Sequence, residues 1–342
     1  MINVGIIGAG RIGKVHCESI MRYVKNATVK TVADPFLNDA TVEWAKNLGI
    51  EHFTKDYHEI LNDKDIQAVL ICSSTDTHSK ISVEAIEAGK HVFCEKPIDH
   101  DVSKIIEVMN ALKKHPEIKY QVGFNRRFDH NFRSARKAVE DGKIGELNVL
   151  KVCSRDPAAP PVSYIKVSGG IFLDMTIHDF DMIRFMSGSE VEEVFSYGAV
   201  LVDEEIGKAG DIDTAVISMK LANGAIAVID NCRRASYGYD QRVEAFGSLG
   251  QVAISNDTES SAVVSNADGV HGEKPLLFFL ERYMQAYVNE ITEFVDCVVN
   301  DKQVTVNVEC GLQPVLIGLA AKKSLVEHRP IKVSEIASVY GL

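Results

Sequence analysis

Along the first 120 or so residues, short apolar runs alternate with stretches whose apolar positions recur at helical spacing, which predicts a succession of strands and helices. Strands are expected over 2–7, 28–33, 51–53, 66–72, 91–94 and 119–124, with helices over 11–22, 37–48, 57–61, 75–88 and 102–114. Runs such as Ala68-Val69-Leu70-Ile71 show no polar alternation, the mark of parallel strands covered on both faces. Past Phe124 the period changes. Strands with two-residue alternation are expected over 147–154, 191–201, 214–220, 225–231, 241–247 and 251–255, and Asn223-Gly224 is a hairpin signal between two of them. Helices are expected from Asn125 to about 141, then over 171–186, 277–299 and 311–327. The chain therefore divides near 122, and the last helix is expected to pack back on the first domain. One face of the second sheet is left uncovered by this pattern, which suits burial in an oligomer.

The first strand runs directly into Gly8-Ala9-Gly10-Arg11-Ile12-Gly13 and a helix, so the G-x-G-x-x-G spacing occurs in the context that gives it meaning. Gly8 permits the tight turn, Gly10 lets backbone amides approach a pyrophosphate, and Gly13 lets the helix lie close on the strand. The phosphates then sit at a helix N-terminus, where open N–H groups and the helix dipole favour them. Asp34 ends the second strand, about 20 residues past the motif, where a carboxylate accepts from an adenosine ribose and repels a 2′-phosphate. Together these predict a Rossmann-type doubly wound parallel sheet holding NAD in preference to NADP. Ser73, Ser74 and Thr75 follow the fourth strand on the cofactor edge, with Thr75 or Thr77 able to cap the next helix. His78, on that helix's first turn, reads equally as a cofactor contact or a local structural hydrogen bonder.

The fifth strand ends in Glu95-Lys96-Pro97, and proline restricts the backbone of Lys96 so that its ammonium is aimed. Lysine before proline is also a common way to leave a sheet, but the order of this strand in the chain puts Lys96 on the same edge as the glycine turn. In the second half, Asp174 and His178 are four residues apart in a predicted helix, and Asp181 is three beyond His178. A carboxylate beside an imidazole raises its basicity and orients it, as a general base requires. An acidic helix start with an incidental histidine fits the same spacing, and a cation site of Asp174, His178 and Asp181 is a third reading with no further His or Cys cluster behind it. Asn125 and Arg126 follow a strand that ends on the site edge, the stiff loop holding Asp156 could cover a pocket, and a phenol at the strand junction of Tyr237 and Tyr239 could hydrogen-bond a polyol.

Composition narrows the partners. With 342 residues, 46% apolar and 25% charged, the chain has the profile of a globular protein with room for two domains. Its net charge of −11 argues against nucleic acid or an anionic membrane surface and leaves small neutral substrates open. Seven cysteines, with no C-x-x-C pairing, suit reduced thiols in a cytoplasmic protein better than a disulfide framework. The early first strand leaves no room for a signal peptide, and no apolar run approaches the ~20 residues of a membrane span.

With these residues assembled, the chain resembles the oxidoreductase family named for glucose-fructose oxidoreductase, inositol dehydrogenase and the rhizopine-catabolism protein. The glycine turn, Glu95-Lys96-Pro97 and the D-x-x-x-H pattern of Asp174 and His178 carry the resemblance, which spans essentially the whole chain. Within that family, the runs 122–129, 154–157, 172–181 and 237–242 are similar to inositol 2-dehydrogenases, some of which carry histidine where Ser154 falls. The resemblance implies an N-terminal Rossmann domain, a C-terminal α+β domain with a large open and mainly antiparallel sheet, a cis bond before Pro97, and homotetramers built through that sheet. It also implies NAD-dependent oxidation of a ring secondary hydroxyl of an inositol, with His178 as base, Asp174 orienting it and Lys96 on the reacting oxygen. Glu95 and Lys96 join the cofactor contacts, and Asn125, Arg126, Asp156, Asp181 and Tyr239 hold the remaining hydroxyls. Two other readings stand beside it: a dehydrogenase or reductase of an aldose or other sugar, and a dinucleotide-binding sensor without turnover.

Overall fold

The computed structural model describes residues 1–342 and divides into two compact units. The first comprises Met1–Phe128 with Gln285–Val315, the second Asp129–Met284 with Leu316–Leu342.

In the first unit, strands β1 (Ile2–Ile7), β2 (Ala27–Ala33), β3 (His52–Thr54), β4 (Ala68–Ile71), β5 (His91–Glu95) and β6 (Tyr120–Gly123) form one sheet in the order β3-β2-β1-β4-β5-β6. Every pairing in it is parallel. All four residues of β4 are buried, as a strand covered on both faces requires. The order reverses between β1 and β4, the switch point at which open parallel sheets bind their ligands beyond the carboxyl ends. Helix Met284–Val299 lays Ile291, Phe294 and Val295 into the same core as β1, β2 and the first helix, Arg11–Arg22. The element that returns to this unit thus precedes the last long helix, Val308–Glu327. That helix contributes only its opening turns, where a Cβ on Gly311 would come within 2.4 Å of Ile98. The boundary expected near 122 falls after Phe128, because Asn125–Phe128 is a 3-10 turn continuing from β6.

In the second unit, β7 (Leu147–Arg155), β8 (Val191–Ala199), β9 (Thr214–Leu221), β10 (Ile226–Cys232), β11 (Asp240–Gly247), β12 (Gly250–Ile254) and the short β15 (Ile331–Lys332) make a sheet in the order β12-β11-β7-β10-β9-β8-β15. A separate hairpin pairs β13 (Val263–Asn266) with β14 (Gly269–Gly272). The large sheet is mixed: β7 and β10 run parallel while the other pairs are antiparallel. Burial alternates strictly along β9, so the sheet has one covered face and one open face. The covered face carries helices His130–Glu140 and Ile177–Ser187 and the later turns of the last long helix, where Ser196 donates to the Ala321 carbonyl at 2.6 Å. On the open face Tyr197, Val216, Ile226 and Phe246 are 67%, 49%, 55% and 46% exposed.

Two predicted helices are broken. The span 277–299 starts only at Phe279 and is interrupted at Tyr283. The span 171–186 is two pieces, Ile171–Asp174 and Ile177–Ser187, separated by Met175 and Thr176. Its start is fixed by Gly170, whose φ of 81° favours glycine, and by the Asp211 carboxylate, which accepts from the Ile171 amide at 3.1 Å. Met175 and Thr176 keep right-handed helical angles, so the four-residue spacing still carries Asp174 and His178 to one side.

Candidate functional site

Because all six strands of the first sheet run one way, the residues after each strand collect on one edge. Gly8 follows β1, Asp34 follows β2, Ser73 follows β4, Lys96 follows β5 and Asn125 follows β6. Gly8 has φ +99°, and a Cβ there would lie 2.6 Å from the backbone of Cys72 and Ser73. A Cβ on Gly13 would lie 1.9 Å from the Gly8 carbonyl oxygen, so the helix can close on the turn only without one. Gly10 differs: its φ of −69° suits any residue, and a Cβ there would meet no atom within 4 Å. The bare backbone at Gly10 serves nothing inside the protein. Gly10 also caps the helix without a side-chain hydrogen bond, so no capping side chain covers the helix N-terminus, where an anion is favoured. These features fit the pyrophosphate of a dinucleotide.

The Asp34 carboxylate accepts from the Ala9 amide at 2.7 Å through one oxygen and from the Phe36 amide at 2.7 Å through the other. It is half-buried, so it ties the glycine turn to the end of β2 while still facing outward. Helix Thr75–Glu87 begins after Ser74 without a side-chain cap; Thr77 instead donates to the Ser74 carbonyl and lies 2.7 Å from the Ser73 hydroxyl. His78 is 2% exposed, with Nδ1 2.9 Å from the Pro97 carbonyl and Nε2 3.0 Å from the Ser73 carbonyl. Burial works against its charge, but the neighbouring Cys94 and the two carbonyls outweigh it and raise its pKa to about 9. Between the two predicted roles, the geometry selects the structural one: His78 clamps the loop after β4 to the turn after β5.

That turn holds the cis bond between Lys96 and Pro97. From Val92 to Asp99 every side chain is buried except Lys96. Glu95 points the other way, into the core, where its Oε1 lies 2.6 Å from His16 Nε2. It supports the lysine's turn from beneath rather than lining the cofactor edge. Asn125 and Arg126 are each 4% exposed, and the Asn125 amide nitrogen has no protein partner, so it is an open donor on this edge.

The second unit gathers its polar residues by register. Since β7 and β10 are parallel and β11 runs against β7, Arg155, Cys232 and Asp240 fall on one edge. Arg155 is paired with Asp230 and donates to the Tyr237 hydroxyl at 3.2 Å, and Tyr237 in turn donates to Asp240 at 2.6 Å. Burial opposes charge on Asp240, yet donors from Arg242, Tyr237 and Asn256 hold its pKa well below the usual carboxylate range. Asp156 is half-buried in the loop beyond β7; its amide donates to the Cys232 carbonyl and its own carbonyl accepts from Ala235. Tyr239 is 6% exposed, its ring set edge-on to Phe278 and Tyr283 at 5.5 and 6.0 Å, which makes it a core aromatic.

Between Ile171 and Ile183 every residue is buried except Asp174 and His178, which are half-buried. Asp181 is buried at 1%. Asp174 accepts from the Tyr164 hydroxyl at 2.9 Å and from both Arg233 guanidinium nitrogens at 3.4 Å, and Arg233 is itself 1% exposed. Beneath His178, Thr176 donates to Asn231 at 2.6 Å, and Asn231 donates to Asp179 at 2.8 Å. Arg233, Tyr164 and Asn231 were not among the expected site residues. The one sequence signal for Asn231 and Arg233 is polar residues at inward positions where β10 ends. The grouping of Asp129, His130 and Asp257 is met by Arg282, which reaches Asp129 at 2.5 Å and Asp257 at 3.0 Å. All seven cysteines are free, and burial pushes Cys17 up to about 12, so it is held as a thiol.

This architecture, a dinucleotide-binding parallel sheet followed by a mixed sheet with an acid and an imidazole on one accessible side, defines an oxidoreductase. Residues 2–124 match the oxidoreductase family with an NAD-binding Rossmann fold, and residues 132–253 match the GFO/IDH/MocA C-terminal domain. The chain belongs to that family. It is 48% identical over 335 residues to the myo-inositol 2-dehydrogenase of Thermotoga maritima, covering 98% of this chain and 99% of that protein. It is 43% identical to the inositol 2-dehydrogenase of Rhizobium meliloti, over 97% of this chain and 99% of that one. The crystal structure of scyllo-inositol dehydrogenase from Lactobacillus casei with bound NAD(H) and scyllo-inositol superposes with a TM-score of 0.91 at 33% identity, covering 98% and 99% of the two chains. No helix is long and apolar enough to cross a membrane.

Two outcomes follow from the nucleotide edge. Gly10→Ala should cost about 1 kcal/mol of stability or less yet weaken NAD binding several-fold by calorimetry, while Gly13→Ala should lower the melting temperature first, its Cβ having nowhere to go. Replacing Asp34 with Ala should narrow the ratio of kcat/KM for NAD over NADP; an unchanged ratio would remove Asp34 from the ribose.

Proposed function

We propose that this protein is an NAD-dependent inositol 2-dehydrogenase, oxidising a ring secondary hydroxyl to the inosose. The observation that carries the reading is selective exposure: in two otherwise buried runs, the residues left accessible are Lys96 in the first unit and Asp174 with His178 in the second. A dinucleotide-binding sensor has no chemical need for such groups. Full-length similarity to inositol dehydrogenases selects the substrate class over an aldose.

NAD, when bound, supplies the hydride acceptor; the chain's residues must handle the proton and hold the ring. His178 takes the hydroxyl proton, as an imidazole suits a base near neutral pH. Asp174, itself anchored by Tyr164 and Arg233, orients His178 and accepts from a neighbouring hydroxyl. Lys96 donates to the reacting oxygen and stabilises the negative charge that grows there as the proton leaves. Asn125 offers its open amide to a further hydroxyl, with Arg126, Asp156 and Asp181 completing the set. Tyr239 contributes the packing that holds its strand start.

The protein works in the cytoplasm as a homotetramer formed through the open sheet face. On that face Tyr197 lies opposite Val216 on β8 and β9, and Ile226 and Phe246 flank Val149 on β7, exposed apolar side chains that contact with another copy would cover.

Steady-state assays following NADH on myo-, scyllo- and D-chiro-inositol and on a set of aldoses should show turnover with an inositol and little with the sugars. Lys96→Ala and His178→Ala should each lower kcat/KM by ~10²-fold or more. If both stayed within ~10-fold of wild type, the assigned roles would be wrong. Ile226→Lys with Phe246→Lys should convert the assembly to smaller species by light scattering; an unchanged mass would place the interface elsewhere.

A further inference from the structure

Directly beneath the Lys96 turn lies a cluster that the proposed chemistry does not use. His16 from helix Arg11–Arg22, Glu95 from β5 and Glu290 from helix Met284–Val299 bring their ligand atoms within 4.8 Å of one another. His16 and Glu290 are 0% exposed and Glu95 is 9% exposed. His16 Nε2 meets Glu95 Oε1 at 2.6 Å, while both Glu290 carboxyl oxygens, His16 Nδ1 and Gln121 Oε1 lack hydrogen-bond partners. Gln121 donates to the Glu290 backbone carbonyl at 2.9 Å, which fixes that helix against β6.

Two occupants could reconcile two carboxyls and an imidazole in such a space: a dication or protons. Ligands of one tetrahedral zinc, each at about 2.0–2.2 Å from it, stand roughly 3.3 Å or more apart, whereas 2.6 Å is a hydrogen-bond distance. The geometry favours protons. A carboxylate with both oxygens unpartnered in the core is not sustainable as an anion and stays protonated instead.

We propose that Glu290 is a positioning residue for the Lys96 turn, acting as a neutral carboxylic acid that completes a clasp with Glu95 and His16. Burial, then the Glu95 charge, raise its pKa well above the ordinary carboxyl value. The other groups facing the cluster are Cys17 on the first helix, Cys72 after β4, Cys94 on β5, and Tyr287 one turn before Glu290. Cys17 and Cys72 are both raised by burial and remain thiols, so they add no charge. The clasp therefore joins the pyrophosphate-binding helix, the returning helix and the lysine's strand, with the 2.6 Å contact between His16 and Glu95 at its centre. The catalytic part of this inference rests on the role proposed for Lys96; the protonation part does not.

The sign of the pH effect follows from linkage. A carboxyl whose folded pKa is raised keeps its proton in the folded state while the unfolded chain releases it above ~4.3, so its contribution to stability is lost as pH rises from there toward the folded pKa. Glu290→Gln keeps the shape and removes that loss. Urea denaturation from pH 5 to 8 should give a ratio of folding constants, Glu290→Gln over wild type, that grows by up to about 10-fold per pH unit; a flat or falling ratio overturns the proposal. Isotope-edited infrared spectra of the wild type should show a protonated carboxyl band at pH 7 that Glu290→Gln lacks, and absence of that band in wild type overturns it without any variant. A rise in melting temperature with Zn²⁺ or Mn²⁺ after chelation, lost in Glu290→Gln, would instead identify a metal site. For the positioning role, Glu290→Leu should lose about 10-fold or more in kcat with KM for NAD little changed, and Glu290→Gln should restore it. No rescue by Gln overturns that role. Should wild type fail to oxidise any inositol while the infrared band and pH dependence hold, the functional reading fails and the protonated acid stands.

Discussion

A parallel sheet cannot choose where its loops go. With six strands running one way, every carboxyl end falls on one edge, and the order reversal between β1 and β4 opens that edge. The glycine turn, Asp34, Ser73 and Lys96 are separated by many residues in the chain, yet no special contact is needed to assemble them. What the side chains add is discrimination between pointing outward and being consumed within. Lys96 and Gly10 remain outward, whereas His78 and Glu95 are spent on holding the turns that present them.

This explains which predictions the sequence could support. The alternation of apolar strand and helical period, and G-x-G-x-x-G in its strand-to-helix context, are local signals with physical causes in φ and close approach, and they placed the first sheet correctly. The division of labour between Lys96 and His78 is not local. His78 serves two carbonyls, of Ser73 and Pro97, that meet only once β4 and β5 are paired. Helix 171–186 illustrates the same limit. Its apolar spacing is continuous, but Asp211, forty residues on, fixes where it starts and the Asn231 side chain takes the Thr176 hydroxyl at its break. Residues distant in sequence decide a detail that propensity alone leaves open.

The second sheet shows how one pairing changes a site. Alternation reveals that a strand is half-buried but says nothing about the direction of its neighbour. Had β7 and β10 been antiparallel, Asp156 and Arg233 would have emerged at opposite edges; parallel pairing places them together, with the Asp156 amide on the Cys232 carbonyl. Arg233 is almost wholly buried and reaches Asp174 and Asp211, so a guanidinium supports the carboxylate beside His178. Such a buried pair is poor support for stability in itself, because desolvation opposes it. Its value is orientation: a carboxylate held by Tyr164 and Arg233 has little freedom to swing away from the face it shares with His178.

Stereochemical choice can be located by the same reasoning. Ring polyols that differ at one carbon present the same atoms in different directions, so a site separates them only through hydroxyls whose partners are left unpaired by the wrong isomer. Unpaired buried partners are expensive, and sites built to bind a hydroxyl can reject a ligand lacking it by factors of about 10⁴. Ser154, where some relatives are expected to carry histidine, is wholly buried, and its hydroxyl donates to Gln241 at 2.9 Å. Its carbonyl receives Asn231, which also holds Thr176 and Asp179 beneath the helix of His178. A change of side chain at this position removes the hydroxyl that Gln241 accepts from, while the main-chain carbonyl that holds Asn231 is common to any residue placed there.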